Sequence, residues 1–221
     1  MKLFFEALVK FTCGLLLVGL LIFLPAGTLG YPCGWLFIGL LFGPMLIAGF
    51  VMLARSPEFL KKRLDAKEKQ GTQKGVVALS GLMFIAGFVL AGLDYRFGWS
   101  VMPTWVTVVA SVLFLTSYAL YAEVMRENAY LSRTVKVEEG QKVVDTGLYG
   151  IVRHPMYAVT ILLFMVMPIV LGSWYALIPF AFYPAIIILR LKDEEKLLTR
   201  ELPGYEAYKQ KVKYRIIPFI W

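Results

Sequence analysis

The chain has 221 residues, 59% hydrophobic and 17% charged, with a mean hydropathy of +0.69 and a formal net charge of +8. That composition belongs to membrane proteins and excludes an ordinary soluble domain. The basic charges sit in the gaps between apolar runs, which marks a cytoplasmic membrane face and argues against a nucleic-acid partner.

Apolar runs predict helices at about 7–24, 34–54, 76–93 and 101–123, each near the ~20 residues that cross a ~30 Å hydrocarbon core. Lys2 and Lys10 precede an apolar run from Phe11 to Leu24 as they would in a signal peptide. No small-residue cleavage site follows it and a second apolar run does, so a retained first span is expected. Cys13 and Cys33 make no CxxC pair, and a single histidine cannot complete a site with them. No structural metal or disulfide is expected.

The gap 55–75 carries seven basic residues (Arg55, Lys61, Lys62, Arg63, Lys67, Lys69 and Lys74), and the gap 124–154 carries five (Arg126, Arg133, Lys136, Lys142 and Arg153). The gaps 25–33 and 94–100 carry only Arg96. The positive-inside rule therefore places the N-terminus and both basic gaps in the cytoplasm.

As one helix, residues 155–191 would reach roughly 55 Å at ~1.5 Å per residue, longer than the bilayer core is thick. Pro168, Gly172-Ser173, Pro179 and Pro184 interrupt it. The prediction is a helical hairpin, about 155–171 and 174–191, turning near Gly172; charge counting leaves open whether it crosses or dips and returns. The stretch 190–221 carries eight basic residues and reads as a cytoplasmic tail of amphipathic character. The expected fold is all-α: a polytopic membrane bundle of four spans, a C-terminal helical hairpin and that tail.

Several chemistries are missing from the sequence: no GxGxxG after a strand, no Walker loop, no HExxH, no GxSxG and no histidine box. Three short motifs remain. Tyr149 and Arg153-His154-Pro155-Met156-Tyr157 surround the only histidine. Pro155 suits a first helical turn, which puts Arg153 and His154 at a helix N-terminus that favours an anion. Arg190 and Glu194, four apart, share a helical face where the hairpin ends. Tyr205 and Tyr208, then Tyr214-Arg215-Ile216-Ile217-Pro218, follow in the tail. Each alone is also what an aromatic belt, a solvated ion pair or an interfacial helix produces. Together they fit one site, because a hairpin returns its ends to the same depth and lets His154 and Glu194 meet.

In this order and spacing, over roughly 126–221, the motifs RHPMY, R-x-x-x-EE-x-x-L, Y-x-x-Y and RIIP resemble the isoprenylcysteine carboxyl methyltransferase superfamily, to which phospholipid N-methyltransferases are related. The resemblance divides the chain into N-terminal transmembrane helices, 1–125, and a methyltransferase-like region, 126–221. It implies a cytoplasmic pocket for S-adenosyl-L-methionine, capped by the tail, and a lipophilic or prenylated acceptor arriving from the membrane lipid. Tyr149, His154, Pro155, Met156, Tyr157 and Glu194 would contact the cofactor, and Arg190 the acceptor's carboxylate. A strand-like stretch, Lys142, Val143 and Val144, would add backbone contacts. The eukaryotic pattern has histidine where this chain has Gln141, so no side-chain contact is carried over there.

Carboxyl O-methylation needs no general base, since a carboxylate is ionised at neutral pH. Methylation of a phospholipid amine would need one, with Glu195 or Glu123 as the candidates. The tail VKYRIIPFIW also resembles sterol reductases, which bind NADPH. A non-catalytic membrane scaffold would leave Arg190 and Glu194 as a surface pair.

Overall fold

The computed structural model describes residues 1–64, 71–131 and 137–221, with backbone only at 71 and 72. Lys67, Lys69, Arg133 and Lys136, counted above among the cytoplasmic charges, lie outside the described residues. Four long helices form the body: α1 (Lys2–Ala26), α2 (Pro32–Arg55), α4 (Gly71–Phe97) and α5 (Thr104–Glu127). All four are long and apolar enough to cross a membrane, so the chain is an integral membrane protein. The short α3 (Pro57–Leu64) lies between α2 and α4. No strand occurs among the described residues. Lys142–Val144, expected to be strand-like, runs as irregular chain without a partner strand.

α4 is the central packing helix, and two glycines let its neighbours approach. A Cβ on Gly92 would stand 2.4 Å from the Ile22 carbonyl oxygen of α1, and one on Gly87 would stand 2.3 Å from the Phe180 ring. Small residues at helix crossings bring backbones together where lipid offers no hydrophobic drive between helices. Phe84, Phe88, Phe164 and Phe180 then form an aromatic core of edge-on and tilted contacts.

The hairpin is present, with a second arm unlike the predicted one. The first arm, α6 (Pro155–Val170), begins at the expected proline. The chain turns at Gly172, whose φ of 73° suits glycine. The return is broken into a single turn, α7 (Leu177–Phe180), and a long α8 (Tyr183–Glu201). Pro184 causes the break: it has no N–H to give the Phe180 carbonyl, and its ring crowds that oxygen. α8 outruns the predicted end at 191 because good helix formers continue until Leu202, which the following Pro203 holds in extended conformation.

The turn of the hairpin reaches the far end of the bundle. Buried Asp94, at the end of α4, accepts hydrogen bonds from Ser100 N at 2.8 Å, Ser100 Oγ at 2.5 Å and Ser173 Oγ at 2.5 Å. Tyr31, where α2 starts, donates to the Leu171 carbonyl. The hairpin therefore runs the height of the bundle, from the end of α5 to the loops joining α1–α2 and α4–α5.

Candidate active site

The site lies at the opposite end, where α5 stops. Gly147 opens a 3-10 turn (Gly147–Gly150) with φ 54°. A Cβ there would fall 1.6 Å from Glu127 Oε1, the carboxylate that accepts the Leu148 N–H. Only glycine fits both the torsion and the contact. The turn points Tyr149 inward, where its hydroxyl accepts from Asn128 Nδ2 at 3.0 Å. Gln141 uses its side chain locally, accepting the Glu138 N–H at 2.9 Å.

Next to the turn, His154 caps α6. The backbone donors just before that helix are already in use. Arg153 N and His154 N donate to the carbonyls of Tyr214 and Arg215 at 2.9 and 2.8 Å, so the tail occupies these donors. The Arg153 guanidinium holds the tail too, donating to the Val212 and Lys213 carbonyls at 2.8 Å.

His154 meets Glu195, not Glu194. Glu195 is buried and takes Arg153 Nε at 2.8 Å, Arg215 Nε at 2.9 Å and His154 Nε2 at 3.3 Å. Burial by itself raises its pKa, but the hydrogen bonds from His154, Arg215 and Arg153 outweigh that and hold the carboxyl at about 2. This carboxylate ties three segments together: the start of α6, α8 and the tail. It does not line the pocket.

The neighbouring Glu194 does. The Tyr157 hydroxyl donates to Glu194 and accepts from Arg190 Nε at 3.1 Å, so one phenol links the two charged groups. The His154 ring stacks on Tyr157, centroids 5.6 Å apart. Tyr149, His154, Met156, Tyr157, Arg190 and Glu194 all face one cleft. Lys142, Val143 and Val144 supply its opposite wall. Pro155 is the exception among the predicted contacts: it is buried in the first turn of α6, outside the lining, because starting the helix fixes its position.

The tail closes the cleft. After Gly204, α9 (Tyr205–Lys211) places two buried tyrosines over it. Tyr208 donates to the Tyr149 carbonyl at 2.7 Å, and the Tyr205 hydroxyl lies 3.5 Å from His154 Nε2. Burial, then the nearby Glu195 and Glu194 charges, push the Tyr205 phenol up, so it stays neutral. The tail, expected to cap the pocket, packs over the cleft as a cover. The arrangement offers a carboxylate, a guanidinium and several aromatic faces within one cleft, a donor set that fits a cation beside an anion. Its free volume is about 100 Å³, below the roughly 300 Å³ at the low end of cofactor sites.

Glu195, Arg153 and Asn128 are the working residues that sequence reasoning left without these roles. The adjacent Glu194 and Glu195 were legible as a pair, but their division of labour depends on what packs on each side of α8. Glu123, the other candidate base, is paired with Arg126 at 2.6 Å and lies off the cleft.

The model of the isoprenylcysteine carboxyl methyltransferase (ICMT) family matches residues 105–200, α5 through nearly all of α8. Among curated proteins, the Delta(14)-sterol reductase TM7SF2 of Mus musculus is 26% identical over 91 residues, 40% of this chain and 22% of the mouse protein. The uncharacterized protein YpbQ of Bacillus subtilis (strain 168) is 26% identical over 96 residues, 43% of this chain and 57% of that protein. The chain thus spans about a fifth of one relative's length and little more than half of the other's. Residues 105–200, which carry the hairpin and most of the cleft, are thus similar to the isoprenylcysteine carboxyl methyltransferase family.

Proposed function

We propose that the protein is an integral-membrane methyltransferase that uses S-adenosyl-L-methionine to methylate the carboxylate of an isoprenylcysteine-like or other lipophilic acceptor, with the termini and the cleft on the cytoplasmic side. One observation carries this reading: the Tyr157 hydroxyl holds Arg190 and Glu194 together in a cleft walled by tyrosines and His154. The family match over the same residues supports it.

Glu194 and the aromatic faces of Tyr149, Tyr157 and Tyr205 would hold the cofactor, with His154, Met156 and the Lys142–Val144 backbone beside them. When bound, that cofactor supplies a methyl group on a sulfonium. Arg190 would hold the acceptor's carboxylate, and Tyr157 fixes the direction of the guanidinium. Orientation and exclusion of water are what these residues contribute, because the carboxylate needs no deprotonation. The Tyr205–Tyr208 cover is the element that would keep water out.

Neither candidate base suits amine methylation: Glu195 lies outside the cleft lining and its three partners make it a weak base, and Glu123 is off the cleft. A reductase reading has one observation in its favour, the similarity to the mouse sterol reductase. Against it, Arg153 is committed to Glu195 and to tail carbonyls, which leaves few cations for the phosphates of NADPH. Calorimetric binding of S-adenosylhomocysteine and of NADPH to the detergent-purified protein tests this reading. Binding of the former, lost in Glu194→Ala, is expected. Binding of NADPH alone would move the protein to the reductase class.

A further inference from the structure

Outside the cleft, Arg63 in the last turn of α3 is in an unusual position. Its Nη2 donates to the Tyr121 hydroxyl, and the guanidinium carbon lies 5.5 Å from that ring's centroid. Its Nη1 is buried with no hydrogen-bond partner; among the described residues the other such side-chain atom is Gln73 Oε1. Among the described residues Arg63 makes no ion pair, and the group its charge meets there is a neutral phenol. A buried guanidinium N–H without an acceptor is costly, and a ligand oxygen would remove the cost.

The surroundings fix Arg63 in place and connect it to the cleft. α3 is tied down on both sides, by Lys10 Nζ donating to the Leu64 carbonyl at 2.8 Å and by Lys62 pairing with Glu138 at 2.6 Å. Tyr121 packs in the same cluster as Tyr149 and Met156, which line the cleft. Arg63 and Tyr121 therefore form a polar pair that borders the cluster lining the cleft.

We propose that Arg63 is a second anion contact for the acceptor: a lipid carboxylate docks on Nη1, beside Tyr121, before it reaches Arg190 in the cleft. The identity of the acceptor as a lipid carboxylate rests on the function proposed above. The first cytoplasmic loop, outside the family match, then contributes to selection of the acceptor. Capture by Arg63 precedes alignment by Arg190, so loss of Arg63 weakens acceptor binding and leaves the cofactor's grip unchanged.

The test uses full-length protein in an uncharged detergent, with S-farnesyl-N-acetylcysteine as the acid probe and its uncharged carboxamide as the control. Wild type is expected to prefer the acid. Arg63→Gln should lose about tenfold of acid affinity, the size of one charge-assisted hydrogen bond, with carboxamide affinity and S-adenosylhomocysteine binding unchanged. Arg63→Lys, which keeps the charge, should recover part of the loss and controls for folding. Equal acid affinity in Arg63→Gln, parallel weakening of acid and carboxamide, or no acid preference in wild type would each overturn the proposal. Failure of wild type to bind S-adenosylhomocysteine would instead remove the methyltransferase reading, and the acid–carboxamide comparison would still decide Arg63.

Discussion

Arg153 and Glu195, 42 residues apart in sequence, meet in a buried ion pair with Nε and Oε1 at 2.8 Å, each side chain less than a tenth exposed. A second guanidinium, from Arg215, takes the other carboxylate oxygen. Removing one member of such a group leaves the others charged and desolvated. Glu195→Gln is therefore expected to destabilise the folded protein by about 3–5 kcal/mol, read as a lower midpoint of unfolding in detergent. An unchanged midpoint would show that the three segments are held by other contacts.

The same carboxylate sets an acid limit. It titrates near 2 in the folded protein against 4.5 for the ordinary group. Because the folded value is the lower one, its contribution is complete above pH 4.5, declines as pH falls, and is gone below about 2. At neutral pH it amounts to about 3 kcal/mol. Melting curves between pH 7 and pH 3 should show the loss in wild type. Glu195→Gln should lack that part of the slope.

Tyr157 and Arg190 should separate binding from alignment. Tyr157→Phe removes the hydroxyl that bridges Arg190 and Glu194, and kcat should fall about tenfold, the value of one hydrogen bond to a charged group. Arg190→Lys keeps the charge and loses the planar fork, so it should reduce kcat more than it weakens S-adenosylhomocysteine binding. Equal effects of Arg190→Lys on both would assign Arg190 to the cofactor instead.

The Asp94 latch predicts the path of the hairpin. Because Ser173 is tied to Asp94 at the far end of the bundle, a cysteine in place of Trp174 should react with a membrane-impermeant maleimide from the side opposite to Lys209→Cys, with Cys13 and Cys33 replaced. Labelling of both from one side would mean that the hairpin does not cross. Asp94→Ala should lower stability and leave the activity of the remaining folded protein intact, since the latch is remote from the cleft.

Much of this protein is legible in one dimension. Hydropathy marks four spans, because each helix must satisfy its own backbone inside lipid and leaves a continuous apolar run. Prolines and glycines place the hairpin's turn, since torsion angles are a local property. The i, i+4 spacing of Arg190 and Glu194 puts both on one face, and RHPMY marks the start of α6. Three features needed the folded chain. The division between Glu194 in the cleft and Glu195 behind it depends on which neighbours pack against each side of α8. The use of the Arg153 and His154 backbone donors by the tail depends on a contact across about sixty residues. The full height of the hairpin depends on Asp94 and Ser173, 79 residues apart. Periodicity assigns a residue to a face, and only long-range packing decides what that face meets.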